Sequence, residues 1–384
     1  MRRALRSTLI ILLVTLGCFA AFEVVARVVG WRSPAPQPSA TTEFGYGVGG
    51  SGDLQPNLDS IVRLYNIRPY YLHTDSLGLR DTDELRPDTF RILAVGDSFT
   101  FGMYVHNQEA WPARLEETLN QRGMPRRVQV LNAGVPGYTL EDELAYLKDK
   151  GLALHPNLVI LGFYTNDVFD LYPTIRQYFA RSVVLANAGG PPKVGPVTRF
   201  LRDNSALFNA LMGLRADYQQ GQIDAAVNRV TPTVSGLQEM YRDMMFLNPG
   251  KPEYKPEWDG YEKLFRETVD LLNSQHIPLV VVAFPDLAQL PDPGGLPDVP
   301  QRFLAGLTSE TNIAYLDLLP VYRKAGDVQS LYLMYFSPDA HLDANAPDAA
   351  VMMYTGDGHP SPYGHLVAAR ALADLLAQAN LLPK

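Results

Sequence analysis

The stretch Arg91-Ile92-Leu93-Ala94-Val95-Gly96-Asp97-Ser98-Phe99-Thr100-Phe101-Gly102 decides the fold. Residues 92–95 form a short apolar run of strand type that ends abruptly at Gly96. A parallel strand buried on both faces reads as this kind of near-continuous run. Gly96 lets the chain turn, and Gly102 provides a second break. Ser98 falls between them, at the carboxyl end of the strand, where open α/β sheets place their ligands. Its hydroxyl can point into a cleft there, with helix N-terminal N–H groups close by to stabilise an oxyanion. Taken alone, the stretch equally allows Ser98 to do no more than cap the next helix.

Working outward, residues 109–122 have helical spacing, with Trp111, Leu115 and Leu119 on one face. Residues 128–131 read as a second strand, running into a turn-rich loop over 132–139. Residues 141–150 read as a helix, and 158–163 as a third buried strand followed by Tyr164-Thr165-Asn166-Asp167. A fourth strand is expected over 277–284, a fifth over 313–319 and a terminal helix over 363–379. Strands alternating with helices imply an α/β fold: a three-layer, flavodoxin-like parallel sheet with helices on both faces.

Three of these strands end in small or polar loops that can meet at one edge. The first offers Ser98. The second offers Gly137, whose lack of a side chain would let a backbone N–H approach a reacting carbonyl. The third offers Asn166, whose amide can donate to the same oxygen. Read singly, Gly137 is also a turn glycine after Pro136, and Asn166-Asp167 an ordinary helix cap. A nucleophilic serine needs a base. Among the histidines, two lie in Asp-x-His settings: Asp339-Ala340-His341 and Asp357-Gly358-His359. Only the second leads through Pro360-Ser361-Pro362 into the terminal helix. His365 caps or packs that helix.

Gly96-Asp97-Ser98 with Gly102, then Gly137, Asn166 and Asp357-Gly358-His359, resemble in order the blocks of the SGNH (GDSL-type) hydrolases. The resemblance covers residues 75–380 apart from an insertion. It implies Ser98 as nucleophile, His359 as general base and Asp357 as its orienting carboxylate. It further implies an oxyanion hole made of the Ser98 and Gly137 N–H groups and the Asn166 side chain. The family's commoner spacing is Asp-x-x-His; the shorter Asp-x-His also occurs in relatives, including alginate O-acetylation proteins. Asp75-Ser76-Leu77-Gly78-Leu79-Arg80 is similar to an Asn/Asp-x-x-Gly-x-Arg element in the membrane-anchored bacterial branch of the family, and reads as a turn leading onto the folded domain.

The chain of 384 residues carries a net charge of −8 and no basic run beyond its first residues, which argues against a nucleic-acid partner. Its single cysteine, Cys18, excludes an intramolecular disulfide. No cofactor or metal is expected: Asp339, His341, Asp343 and Asp348 read as a solvated loop. Arg2, Arg3 and Arg6 precede an apolar run over 8–22, which Glu23 and Arg27 interrupt before a second run ends at Trp31. This pattern reads as an uncleaved signal-anchor helix within residues 1–31, its N-terminus in the cytoplasm and the rest of the chain periplasmic or extracellular. A buried core helix of a cytoplasmic protein is the competing reading.

Residues 32–60, rich in Pro, Gly, Ser and Thr, read as a flexible linker. The hydrolase-like domain is then 61–384. An insertion over residues 170–257 departs from a minimal αβ unit, with helical segments expected over 201–214 and 225–245. It reads either as a cap that shapes the substrate site or as packing on the outside of the sheet. The functional expectation is a membrane-attached, extracytoplasmic serine esterase acting on O-acyl groups of a carbohydrate or lipid. Two alternatives stand beside it: an O-acyltransferase for an envelope polysaccharide, and a catalytically silent glycan-binding module.

Overall fold

The computed structural model describes residues 17–25, 54–62, 70–81, 84–172, 205–208, 211, 239–333 and 358–383. They fall into two compact units: residues 17–25, 205–208 and 211 in one, and the remainder in the other.

In the larger unit an antiparallel pair, β1 (Asp59–Val62) and β2 (Tyr70–His73), precedes the main sheet. The sheet comprises β3 (Phe90–Gly96), β4 (Val128–Gly134), β5 (Leu158–Phe163), β6 (Leu279–Ala283) and β7 (Ala314–Asp317). Its order is β4-β3-β5-β6-β7 and every pairing is parallel. Counted along the chain this is the flavodoxin-like order 2-1-3-4-5, which reverses direction between β3 and β5. The expectation of an α/β fold with a parallel sheet is therefore met.

Connecting helices are α1 (Ser98–Phe101), α2 (Trp111–Gln121), α3 (Leu140–Asp149), α4 (Asn166–Phe169), α5 (Lys255–Ser274), α6 (Val299–Thr311), α7 (Leu318–Ala325), α8 (Val328–Leu331) and α9 (Pro362–Gln378). The period of two along a strand sorts the core. Ile92, Ala94, Val130 and Ile160 share one cluster with Leu115 and Leu119 of α2 and with Leu372 and Leu376 of α9. On the opposite face Phe163 meets the Tyr261 ring of α5 edge-on at 5.4 Å.

Several boundaries differ from expectation, each for a physical reason. β4 runs on to Gly134, because Asn132, Ala133 and Gly134 pair with Ala94, Val95 and Gly96 of β3 rather than forming a loop. Residues 318 and 319 leave the fifth strand for α7, since the Asp317 carboxylate accepts from the Leu319 N–H at 2.8 Å and caps a helix there. The expected linker boundary at residue 60 falls inside β1. Leu54 is buried, and Thr74 Oγ1 donates to the Gln55 carbonyl at 2.6 Å and accepts from Leu58 N at 2.8 Å. Those contacts make residues 54–60 part of the folded unit.

Within the expected insertion, residues 239–242 are helical and lead into a π-helical turn at Asp243–Leu247; both belong to the larger unit. Of the expected anchor, residues 17–25 are described and are helical. Among the described residues no helix is long and apolar enough to cross a membrane.

Candidate active site

Three glycines lie abreast where the central strands end: Gly134 on β4, Gly96 on β3 and Gly162 on β5. The turn that carries Ser98 rests directly on them. A Cβ on Gly96 or Gly162 would lie 2.1 Å from Thr100 Oγ1, and one on Gly134 would lie 2.2 Å from the Phe101 backbone nitrogen. α1 can sit this close to the sheet only because no side chain occupies that rung. Asp97 caps the turn, its carboxylate accepting from Phe99 N at 2.8 Å, and Gly102, at φ 83, closes it by donating to the Ser98 carbonyl at 3.0 Å.

Arg80 holds the far side of the same turn. Its buried guanidinium donates to the carbonyls of Phe101, Gly102 and Val105 and lies 4.2 Å from the Phe101 ring centroid. The preceding residues aim it. Asp75 Oδ1 accepts from Leu77 N at 2.9 Å and Leu79 N at 2.8 Å, Gly78 adopts φ 81, and Arg80 N donates to the Asn132 carbonyl at 2.9 Å. The Asp-x-x-Gly-x-Arg spacing marked this element, whereas its hold on the Ser98 turn depends on a contact across the fold.

His359 arrives from the other end of the chain, and its Nε2 lies 2.8 Å from Ser98 Oγ. With Oγ donating, Nε2 is the accepting nitrogen, the arrangement in which a histidine takes a serine proton. The imidazole is buried, 5.0 Å from the Phe99 ring and edge-on to Tyr104 at 5.2 Å. Its backbone is held by Leu333 N donating to the His359 carbonyl at 2.7 Å and by Ser361 N donating to the Leu331 carbonyl at 2.9 Å. Ser361 then caps α9, accepting from Gly364 N at 3.1 Å. Asp357 and His341 lie outside the described residues. His365 packs rather than reacts: it is buried in α9 and its Nδ1 accepts from Trp111 N at 3.2 Å. Burial pushes its pKa down to about 3, with the nearby Arg80 and His359 adding to the effect.

Gly137 and Asn166 follow β4 and β5, the two neighbours of β3, so the three expected oxyanion donors issue from adjacent strands at one edge. Gly137 adopts φ 81 and Tyr138 N donates to the Val135 carbonyl at 3.1 Å, a turn with proline then glycine at its centre. A Cβ at Gly137 would stand in open space, so backbone conformation, not crowding, calls for glycine there. The Asn166 side chain, close to Asp97 and Asp170, lowers the pKa of each against the rise imposed by burial.

Behind this edge lie three buried acids, Asp97, Glu143 and Asp167. Burial lifts Asp97 to about 6. It raises Glu143 well above the carboxylate range, with Asp97 and Asp142 adding, and raises Asp167 likewise, with Glu143 and Asp97 adding. Both Glu143 oxygens lack a hydrogen-bond partner among the described residues. Such a carboxyl favours its neutral form. The charge-dense sequence around Glu143 gave no sign that it points inward. Along the rim, Tyr164 and Tyr241 both donate to Asp286 Oδ2, at 3.0 and 2.9 Å. Among the described residues no group of three or more His, Cys, Asp or Glu side chains is placed to hold a metal ion.

A flavodoxin-like sheet with a serine–histidine pair at its reversal point has the form of an α/β serine hydrolase. The chain belongs to the GDSL-like lipase/acylhydrolase family, whose model matches residues 94–367, and it is a hydrolase acting on ester bonds. Among solved structures it is similar to TesA, at 14% identity over 76% of this chain and 99% of that one, with a TM-score of 0.38. It is also similar to Axe2, an acetylxylan esterase from Geobacillus stearothermophilus, at 15% identity over 76% of this chain and 96% of that one, with a TM-score of 0.40. No curated protein matches the chain significantly.

Proposed function

We propose that the protein is an extracytoplasmic serine esterase, tethered by its N-terminal helix and acting on an O-acyl group carried by a carbohydrate or lipid. The observation that carries the catalytic part is the 2.8 Å contact between Ser98 Oγ and His359 Nε2 at the carboxyl edge of the sheet. Ser98 Oγ attacks the ester carbonyl while its proton passes to His359 Nε2. The oxyanion is held by the N–H groups of Ser98 and Gly137 and by the Asn166 amide. His359 returns the proton to the departing alcohol, leaving an acyl-serine. Water then attacks that ester, giving its proton to His359, and the acid is released with Ser98 restored. Asp357 orients the imidazole through Nδ1. The location rests on Arg2, Arg3 and Arg6 ahead of the apolar run over 8–22.

The test is covalent labelling of the full chain in mild detergent by a fluorophosphonate, with the adduct mapped by mass spectrometry. Labelling at Ser98 that disappears in His359→Ala is the expected result. A folded chain that takes no label would return the glycan-binding reading. Short p-nitrophenyl esters should be hydrolysed, and a large acceleration by a sugar acceptor would instead mark an acyltransferase.

A further inference from the structure

In the smaller unit a carboxylate sits where the sequence least accommodates one. Glu23 interrupts the apolar run of the N-terminal helix, and residues 17–25 are exposed apart from Glu23 itself. Its two oxygens accept hydrogen bonds from residues about 180 positions away, among them Ser205 Oγ at 2.8 Å, Ala206 N at 2.8 Å and Leu207 N at 2.9 Å. Residues 206–208 are helical, and Ser205 Oγ also accepts from Phe208 N at 3.0 Å. The first N–H groups of a helix have no partner within it. Glu23 supplies that partner from a distant part of the chain, and the donors in turn satisfy a charge that an apolar helix cannot solvate.

Apolar side chains of this unit are exposed. Among the described residues eight large hydrophobics are exposed, and five of them belong to these two short segments: Phe19, Phe22, Val24, Val25 and Leu211, each more than half exposed. An exposed apolar surface of this density needs a cover. Its surroundings in sequence, with arginines at 2, 3 and 6, apolar residues over 8–22 and Arg27 beyond, are those of a helix in contact with lipid. In hydrocarbon an ionisable group persists where it is paired, and Glu23 is paired with the insertion.

We propose that residues 205–208 and 211 of the mid-chain insertion form a second membrane-contacting element, clamped to the N-terminal helix through Glu23, and that the lipid bilayer covers the exposed side chains of Phe19, Phe22, Val24, Val25 and Leu211. This rests on the tethered reading above and extends it: the chain meets the membrane at two places distant in sequence. It also gives Glu23 a function in an otherwise apolar helix.

The experiment uses the full chain in vesicles of phosphatidylcholine and phosphatidylglycerol, with Cys18→Ser as background and an environment-sensitive fluorophore on Leu211→Cys. Flotation reports the tether, and quenching by lipids brominated on their acyl chains reports the insertion. The expected result is flotation together with loss of about half the fluorescence at residue 211. Glu23→Ala should keep flotation and abolish that quenching. Should Glu23→Ala fail to float, Ser205→Ala, which leaves the helix sequence intact, should weaken the quenching by the same route. A chain that does not float overturns the tether and the inference with it. A chain that floats while residue 211 stays unquenched overturns the inference and leaves the tether standing. Quenching that survives both substitutions overturns the clamp. Self-quenching that grows with protein density, without lipid quenching, assigns the face to a second copy and overturns the lipid.

Discussion

The two sides of the active site are built differently. Ser98 rides on a turn fixed from below by three glycines on three strands, from the side by Arg80, and at its start by the Asp97 cap. His359 is held by a backbone bond from Leu333, by the Ser361 cap that follows, and by ring packing against Phe99 and Tyr104. The turn under the nucleophile is therefore pressed onto the sheet itself, whereas the base rests on ring packing and a backbone bond from one neighbour. A rigid nucleophile beside an adjustable base can tolerate movement of the imidazole as its proton is taken and returned.

The largest expected effect does not separate the sides, and it must hold for the comparison to matter. Ser98→Ala and His359→Ala should each lower kcat by about ten-thousand-fold or more, measured on p-nitrophenyl acetate. Asn166→Ala comes next, at about one-hundred-fold to one-thousand-fold in kcat with little change in KM, as expected for a donor used in the transition state. An equal loss through KM would instead make Asn166 a substrate-binding residue.

A pair of alanine substitutions then tests the two sides directly. At Gly134 the added Cβ meets the Phe101 backbone nitrogen at 2.2 Å, so either strand or turn must shift. We expect a loss of about 3 kcal/mol of stability and, because the nucleophile moves, about one-hundred-fold in kcat. At Gly358, next to the base, the atoms nearest the added Cβ are Cδ2, Cγ and Cβ of Leu287, at 2.0, 3.1 and 3.3 Å, all of one side chain. That side chain can rotate away, so the cost should be about 1 kcal/mol or less, with activity nearly unchanged. Denaturant melts and steady-state kinetics on the two variants decide it. Equal losses would show that the base side is as rigid as the nucleophile side.

The sequence made one side far more readable than the other. The apolar run before Gly96 and the polar residues after it disclosed strand, turn and Ser98 together, because burial on both faces leaves a continuous signature. Asn166 and His359 were legible from their places after a strand and before a helix. The roles of Gly134 and Gly162 were not, since they depend on strand register, which pairs Gly96 with both only in the folded sheet. Arg80 stood out by spacing, yet its acceptors, including the carbonyls of Phe101 and Val105, lie more than twenty residues on. Residues 54–60 looked like linker because their partners, Thr74 among them, lie beyond the reach of local composition.

The most gradual expected effects are slopes of stability with pH, and they run in opposite directions on the two sides. Glu143, behind the nucleophile, has its folded pKa raised by burial and then by Asp97 and Asp142. An unfolded glutamate titrates near about 4.3. Above that pH the folded state holds a proton that the unfolded state has released, so stability falls as pH rises toward the folded pKa. His365, beneath the base, is pushed down to about 3, chiefly by burial. An unfolded histidine titrates near about 6.5, so below that pH the unfolded state binds a proton that the folded state refuses, and stability falls as pH drops. Each group contributes up to about 1.4 kcal/mol per pH unit within its window. Glu143→Gln should therefore gain stability over wild type progressively from pH about 4.3 upward, while His365→Gln should gain only below about 6.5. Urea melts across the pH range measure both. A Glu143→Gln curve parallel to wild type would mean that the carboxyl finds a donor behind the nucleophile and ionises there. That side would then be held by a charge as well as by its glycine-lined rung.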